Sequence, residues 1–97
     1  MKAILISFNQ AHYEEILNIM DHNNIKGFTY WPEVQGRGSK TGEPHYGSHA
    51  WPTLNSAIIT MVEDRQVDRF LDLLKEVDQQ TKALGLRAFV WDIEQSI

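Results

Sequence analysis

This chain of 97 residues contains four short apolar segments and two amphipathic segments, and each amphipathic segment lies between two apolar ones. The apolar segments, KAILISF, GFTYWPEV, LNSAIITMV and LRAFVWDI, are rich in the β-branched and aromatic residues that favour strands. Pro32 lacks a backbone N–H, so the second strand is expected at a sheet edge or at a bulge. The order β-α-β-β-α-β predicts an α+β, ferredoxin-like sandwich, with a four-stranded antiparallel sheet and two helices on one face.

Each predicted helix has one apolar stripe, which is what a helix lying on a sheet requires. Asp64 is the candidate cap of the second helix, and Gly85 is the candidate residue for its end. The stripe of the first helix consists of Tyr13, Ile16, Leu17 and Met20. The stripe of the second helix consists of Val67, Phe70, Leu71, Leu74 and Val77.

The third and fourth strands are apolar on both faces. In the third strand, Ile58 and Val62 alternate with Ala57, Ile59 and Met61. In the fourth strand, Leu86, Ala88 and Val90 alternate with Phe89, Trp91 and Ile93. Two helices can cover only one face of such a sheet, and another subunit is the simplest cover for the other face. The alternative is a partly exposed aromatic face.

Composition limits the functions that this chain can have. A chain of 97 residues corresponds to one domain, residues 1–97, and it has no apolar run long enough to span a membrane. We therefore expect a cytoplasmic protein without direct membrane insertion. The net charge of −4 and the scattered basic residues disfavour nucleic acid as a partner. The absence of cysteine excludes disulfides, thiolate metal sites and cysteine nucleophiles.

The segment EVQGRGSKTGEPHYGSHAWP, residues 33–52, holds four of the six glycines. It fails the pattern of a nucleotide phosphate loop, because Ser39 separates Gly38 from Lys40 and Pro44 follows where a helix should begin. Gly36 and Gly38 could still turn backbone N–H groups toward an anion, beside Arg37 and Lys40. The alternative is a glycine-rich loop with solvated charges.

The same segment has candidate metal ligands and candidate partner contacts. Glu43, His45 and His49 could bind zinc or nickel, or they could be ordinary polar loop residues. Tyr46 and Trp51 are aromatic side chains of the kind that contact a protein partner, although Trp51 could instead pack on its own sheet. His12 and His22 are expected to be solvated on the first helix. No residue pattern proposes a catalytic site.

The segment IKGFTYWPEVQGRGSKTGEPHYGSHAW and the terminal AFVWDIEQSI resemble the PII signal-transduction family. Its members have a Gly-hydrophobic-Thr strand, then Glu-Val-x-Gly-x-Gly before a long loop, and they end on a strand of the Phe-Val-x-Asp-Val-Glu kind. The resemblance implies a homotrimer of ferredoxin-like subunits with their sheets facing the centre. It also implies adenine nucleotide binding in clefts between subunits, and a signalling loop, here about residues 36–52, that regulates transporters, enzymes or other proteins.

The resemblance assigns roles residue by residue. Thr29 corresponds to the adenine contact, and Arg87 corresponds to a phosphate-binding lysine. The base of the signalling loop near the phosphates corresponds to Gly36, Gly38, Ser39 and Lys40. The tip of the loop, which contacts the protein partner, is expected to include His45, Tyr46 and Trp51. Tyr46 lies near a tyrosine that is uridylylated in some members.

The chain also departs from typical members. The segment before the last strand is TKALGLRAF, with one glycine in place of a glycine-rich phosphate loop, and the chain stops at Ile97 without a basic C-terminal extension. It is therefore identified as a divergent PII-like branch. The resemblance implies that, like some PII-like branches without these features, the chain responds to another small ligand or to a metal and is associated with a transporter.

The leading interpretation is a non-enzymatic regulator that senses a small effector at its subunit clefts and acts on a protein partner, with a membrane transporter as one candidate. No cofactor is required; an adenine nucleotide or a divalent metal is the expected effector. One alternative is a trimeric metal-binding protein, related in architecture to the divalent-cation tolerance proteins, with Glu43, His45 and His49 as ligands. Another is a small ferredoxin-like enzyme with an interface active site and His12 or His45 as the base.

Overall fold

A computed structural model of the chain describes residues 1–35, 55–81 and 84–97. The strands are β1, Lys2–Asn9; β2, Phe28–Val34; β3, Asn55–Val62; and β4, Leu86–Asp92. The helices are α1, Tyr13–His22, and α2, Val67–Gln80, and each is preceded by one 3₁₀ turn, Gln10–His12 and Asp64–Gln66. In the part of the chain that the structure describes, no helix combines the length and apolar character needed to cross a membrane.

The strands form one antiparallel sheet in the order β2-β3-β1-β4. The predicted βαββαβ order and ferredoxin-like fold are therefore confirmed. β1 and β3 lie in the middle of the sheet, where backbone groups are paired on both sides. This position suits their nearly continuous apolar sequences, because central strands are buried more completely than edge strands.

β2 is an edge strand with an irregularity, as Pro32 predicts. Its pairing with β3 is regular from Phe28 to Trp31, and the register then shifts before Val34 pairs with Asn55. The missing N–H of Pro32 removes one ladder hydrogen bond at this point. The Ser56 hydroxyl donates to the carbonyl oxygen of Pro32 at 2.7 Å, so the irregular segment still has a contact with β3.

The hydrophobic core lies between the helices and one face of the sheet. The apolar stripes of both helices face this core, as their spacing predicts, with Tyr13, Leu17, Val67 and Leu71 at its margin. Tyr13 of α1 stacks on Tyr30 of β2 with ring centroids 4.2 Å apart. The core consists of Ile4, Ile6, Phe8, Ile16, Met20, Ile25, Ile58, Val62, Phe70, Leu74, Val77 and Leu86.

The helix boundaries differ from the sequence prediction at α2. Glu63, and not Asp64, caps the turn that leads into the helix: its side chain and that of Gln66 form a reciprocal capping box. Asp64 instead forms an ion pair with the N-terminal ammonium group. α2 ends at Gln80, before Gly85, which has a positive φ of 76° in the connection to β4. The observed cap therefore lies one residue before the predicted one.

Gln66 joins the start of α2 to the end of α1. Its Oε1 accepts from the Glu63 N–H at 2.9 Å, and its Nε2 donates to the Asn23 carbonyl at 3.2 Å.

We expect Gln66→Ala to lower the free energy of unfolding by about 1–2 kcal/mol, because both the cap and the link between helices are lost. Urea denaturation at fixed protein concentration measures this change. The matched control is Gln79→Ala on the exposed side of α2, expected within about 0.5 kcal/mol of wild type; equal effects would contradict the prediction.

Candidate effector site

The sheet has a second face, which alternates residue by residue with the core face. We call it the open face. In the register, its side chains form rows that run across neighbouring strands. The first row consists of Met61, Ala3 and Trp91; the second of Thr29, Ile59, Leu5 and Phe89; and the third of Trp31, Ala57, Ser7 and Arg87.

The open face is apolar and accessible. Trp31, Met61, Phe89 and Trp91 are each between 45% and 56% exposed. Both described helices pack on the core face of the sheet. The predicted second apolar face is therefore confirmed, and it exposes large side chains of a kind that a soluble domain normally buries against another surface.

Thr29 lines a cavity at the start of β2. The pairing of β2 with β3 begins at Phe28 and Thr60, so β3 extends beyond the first residue of its neighbour. This difference in length leaves a cavity of about 220 Å³ at the sheet edge. It is lined by Gly27, Phe28, Thr29, Ile59, Thr60 and Met61.

The cavity combines apolar surface with a hydroxyl group. Ile59 and Met61 share the open face with Thr29 and provide apolar surface, and Phe28, which is 42% exposed, also borders the cavity. The Thr29 hydroxyl is a donor and an acceptor on an exposed residue. Gly27 adds no side chain, and a Cβ built at this position meets no atom within 4 Å. The family resemblance assigns Thr29 to the adenine contact, and this assignment stays a prediction; the neighbouring residues of the cavity were not singled out from the sequence.

Arg87 lies at the opposite edge of the open face. It belongs to β4, pairs with Ser7 of β1, and is exposed. Its Nη1 donates to the carbonyl oxygen of Leu86 at 2.9 Å, and its guanidinium keeps further donors that can bind an anion. Arg87 is one row closer than Thr29 to the end of the sheet where residues 36–54 connect β2 to β3.

One chain does not bring Thr29 and Arg87 together. They lie on the two edge strands, and β3 and β1 separate these strands. Three strand spacings of about 4.8 Å put them at least roughly 14 Å apart. A single ligand site that uses both residues therefore needs the Thr29 edge of one chain and the Arg87 edge of another.

The predicted loop residues lie outside the described residues. They are Gly36, Gly38, Ser39, Lys40, Glu43, His45, Tyr46, His49 and Trp51. The structure describes the two strands that flank this segment: Val34 and Asn55 pair at the end of the sheet. The assignments of these residues to effector, metal or partner stay predictions. Among residues 1–35, 55–81 and 84–97, no cluster of three or more His, Asp or Glu side chains could hold a metal ion.

The two histidines of the N-terminal region differ in environment. His22 is exposed, as predicted, and its Nδ1 lies 2.7 Å from the Asn18 carbonyl oxygen. The prediction that His12 is solvated is wrong, because His12 is only 6% exposed. It belongs to the 3₁₀ turn before α1, where the chain returns over the end of the sheet, and its Nε2 has no hydrogen-bond partner among the residues that the structure describes. Such burial disfavours His12 as a base that meets a substrate from solvent.

Charge interactions that shift pKa values in the described residues lie away from Thr29 and Arg87. A hydrogen bond from Lys2 to the Asp92 carboxylate raises the pKa of Lys2. A hydrogen bond from the N-terminal ammonium lowers the pKa of Asp64. Asp64 is exposed to solvent and Lys2 is partly exposed, so these surface contacts do not indicate a catalytic site.

Solved structures of similar proteins share this fold. CPII from Thiomonas intermedia K12, a nitrogen regulatory PII-like protein bound to ADP, AMP and bicarbonate, is 24% identical with a TM-score of 0.77; the match covers 95% of this chain and 84% of that chain. Its complex with ADP and bicarbonate gives 25% identity, a TM-score of 0.76 and the same coverage. TTHA0516 of Thermus thermophilus, classed as a PII-like signaling protein, is 20% identical with a TM-score of 0.65, covering 93% of this chain and 83% of that one.

Two sequence comparisons gave different outcomes. A search of curated protein sequences found no match. The family model "Nitrogen regulatory protein P-II" matches residues 1–97, which is the whole chain. Together with the βαββαβ fold, this match establishes that the chain belongs to the nitrogen regulatory protein P-II family of regulatory proteins.

Proposed function

We propose that this protein is a PII-like regulator that binds an adenine nucleotide between the subunits of a homotrimer. The adenine ring lies in the cavity beside Thr29 of one subunit, and the phosphates meet Arg87 of a neighbouring subunit. The cavity at Thr29 is the observation that carries this proposal. The 36–52 segment, which begins at the end of β2, transmits the bound state to a protein partner.

The cavity supports the position of the base. It opens at a sheet edge, it is lined by Phe28, Ile59 and Met61, and Thr29 supplies a hydroxyl group. An apolar lining with a few polar groups is typical of small-ligand sites. The resemblance to PII proteins assigns Thr29 to the adenine, and the cavity beside Thr29 supports that assignment.

The positions of Thr29 and Arg87 support an intersubunit site. A trimer with sheets facing the centre buries the open face, including Phe89 and Trp91, which are about half exposed in the single chain. It also places the edge of one sheet beside its neighbour, so that Thr29 and Arg87 of different subunits can contribute to one cleft. Arg87 lies nearer the loop end of the sheet, which suits a nucleotide whose phosphates point toward the base of the loop.

The ligands of CPII define the first candidates for the effector. That protein was solved with ADP, AMP and bicarbonate. We therefore propose ADP or AMP as the nucleotide of this protein, with bicarbonate as a second small ligand to be tested beside it. The partner is a protein that binds the 36–52 segment from the cytoplasm, and a membrane transporter is the first candidate.

Assembly tests the first part of this proposal. We expect light scattering coupled to size-exclusion chromatography to give three times the chain mass of 11.2 kDa. Phe89→Asp should dissociate the assembly, because it places a charge in an apolar interface. The matched control is Gln79→Asp, which adds the same charge on the exposed side of α2. A wild-type monomer at micromolar concentration would rule out the trimer and, with it, the intersubunit site.

Calorimetric titration of ADP, AMP and adenosine tests the binding site. Thr29→Val should weaken all three ligands by a similar factor, about fivefold, because it removes one hydrogen bond to the shared base. Arg87→Gln should weaken ADP by about tenfold or more and leave adenosine unchanged, because only ADP has a phosphate for the guanidinium. The control for general charge is Arg69→Gln on α2, expected to leave ADP affinity unchanged. No binding of any nucleotide by wild type would overturn the proposed effector.

Mixed trimers test whether Thr29 and Arg87 come from different subunits. Thr29→Val and Arg87→Gln each impair every cleft of a homotrimer. Subunit exchange between the two variants should restore a fraction of intact clefts, in which one chain supplies Thr29 and its neighbour supplies Arg87. Recovery of tight ADP binding after mixing is the expected result. If the two residues acted in one chain, no cleft would be intact and mixing would restore nothing.

A further inference from the structure

Two buried hydroxyl groups of β3 bond to the neighbouring segment, one at the irregular part of β2 and one at the residue just before β2 begins. Ser56 and Thr60 are on the core face, with 0% and 1% of their surface exposed. Neither hydroxyl bonds within its own strand: Ser56 donates to the Pro32 carbonyl at 2.7 Å, and Thr60 donates to the Gly27 carbonyl at 2.5 Å. Both acceptors lie where the backbone ladder between β2 and β3 is interrupted or absent.

The bond from Thr60 fixes a residue that the ladder does not reach. Regular pairing begins with Phe28 opposite Thr60, so Gly27 lies just outside the sheet. Glycine has more backbone freedom than any other residue, and an unpaired glycine next to an edge strand would be mobile. The Thr60 hydroxyl of β3 restricts that freedom, because it donates a hydrogen bond to the carbonyl oxygen of Gly27, just before β2 begins.

Both ends of this hydrogen bond belong to the wall of the effector cavity. Gly27 and Thr60 line it together with Thr29. We propose that Thr60 is a positioning residue for the effector: its buried hydroxyl holds the Gly27–Thr29 backbone, and so sets the position of the Thr29 side chain and the width of the cavity. This inference rests on the proposed function, because it assumes that the cavity holds the base.

Ser56 provides an internal control. It has the same kind of bond, from the same strand to the same neighbouring strand, with the same burial. Its acceptor, Pro32, is not among the cavity residues. Loss of the Ser56 bond should therefore cost stability comparable to loss of the Thr60 bond without changing the cavity.

The test compares Thr60→Val, Thr60→Ser and Ser56→Ala in the full chain. Valine keeps the branched shape of threonine but has no donor, whereas serine keeps the donor. By calorimetric titration at a temperature where all variants are folded, Thr60→Val should bind both ADP and adenosine about threefold to tenfold more weakly than wild type. Thr60→Ser and Ser56→Ala should stay within about twofold. Because Thr60→Val should lower the affinity for adenosine as much as the affinity for ADP, its effect can be told apart from that of Arg87→Gln, which should lower the affinity for ADP only.

Hydrogen exchange gives a second readout that does not depend on any ligand. Without nucleotide, Thr60→Val should speed amide exchange at Phe28 and Thr29, and Ser56→Ala should leave these amides unchanged.

If wild type binds ADP but Thr60→Val binds it equally well, the positioning role is wrong and the proposed function stands. If wild type binds no nucleotide, the proposed function fails, and the positioning role fails with it. Equal affinity losses in Thr60→Val and Ser56→Ala would also overturn the inference, since they would indicate a general structural effect.

Discussion

A single layer of helices on a sheet with two apolar faces is the constraint on which this structure depends. The helices bury Ile4, Ile6 and Phe8 of the central strand β1, together with their neighbours on the core face. The side chains of the opposite face, including Phe89 and Trp91, remain about half exposed. Burying the exposed half of such a side chain is worth about 1 kcal/mol, and several of them on one face together favour association. The proposed trimer is one assembly that would cover this face.

The same constraint explains why the candidate site lies at sheet edges. The central strands β1 and β3 have their backbone groups paired on both sides, so they contribute to such a cleft through side chains, as Ile59 and Met61 of β3 do at the cavity. The edge strands lie at the border with a neighbouring subunit, and they carry Thr29 and Arg87. The edge position has a cost for β2, whose ladder starts only after Gly27 and is interrupted at Pro32. The hydroxyls of Thr60 and Ser56 compensate for that cost at these two points.

Much of the architecture was predictable, because its signals are local in the sequence. The spacing of Ile16 and Met20 identified the buried side of α1, alternation identified Phe89 and Trp91 on the open face, and Pro32 placed β2 at an edge with a bulge. Family resemblance pointed to Thr29 and Arg87. The cap of α2 was predicted wrongly: Glu63 and Gln66 form the capping box, and Asp64 pairs with the N-terminal ammonium group, which is distant in the sequence. The burial of His12 was missed because local spacing does not show which other elements cover a residue.

The sequence by itself determined the order of the elements, the apolar stripe of each helix and the two apolar faces of the strands, because periodicity follows from the geometry of a helix or strand alone. Only the tertiary structure decided which strands are neighbours. The order β2-β3-β1-β4 puts Thr29 and Arg87 on opposite edges and lets Thr60 reach Gly27, which is 33 positions away in the chain. The cavity at Thr29 lies where β3 extends past the first residue of β2. The sequence of either strand alone does not predict it, because it depends on how the two strands pair.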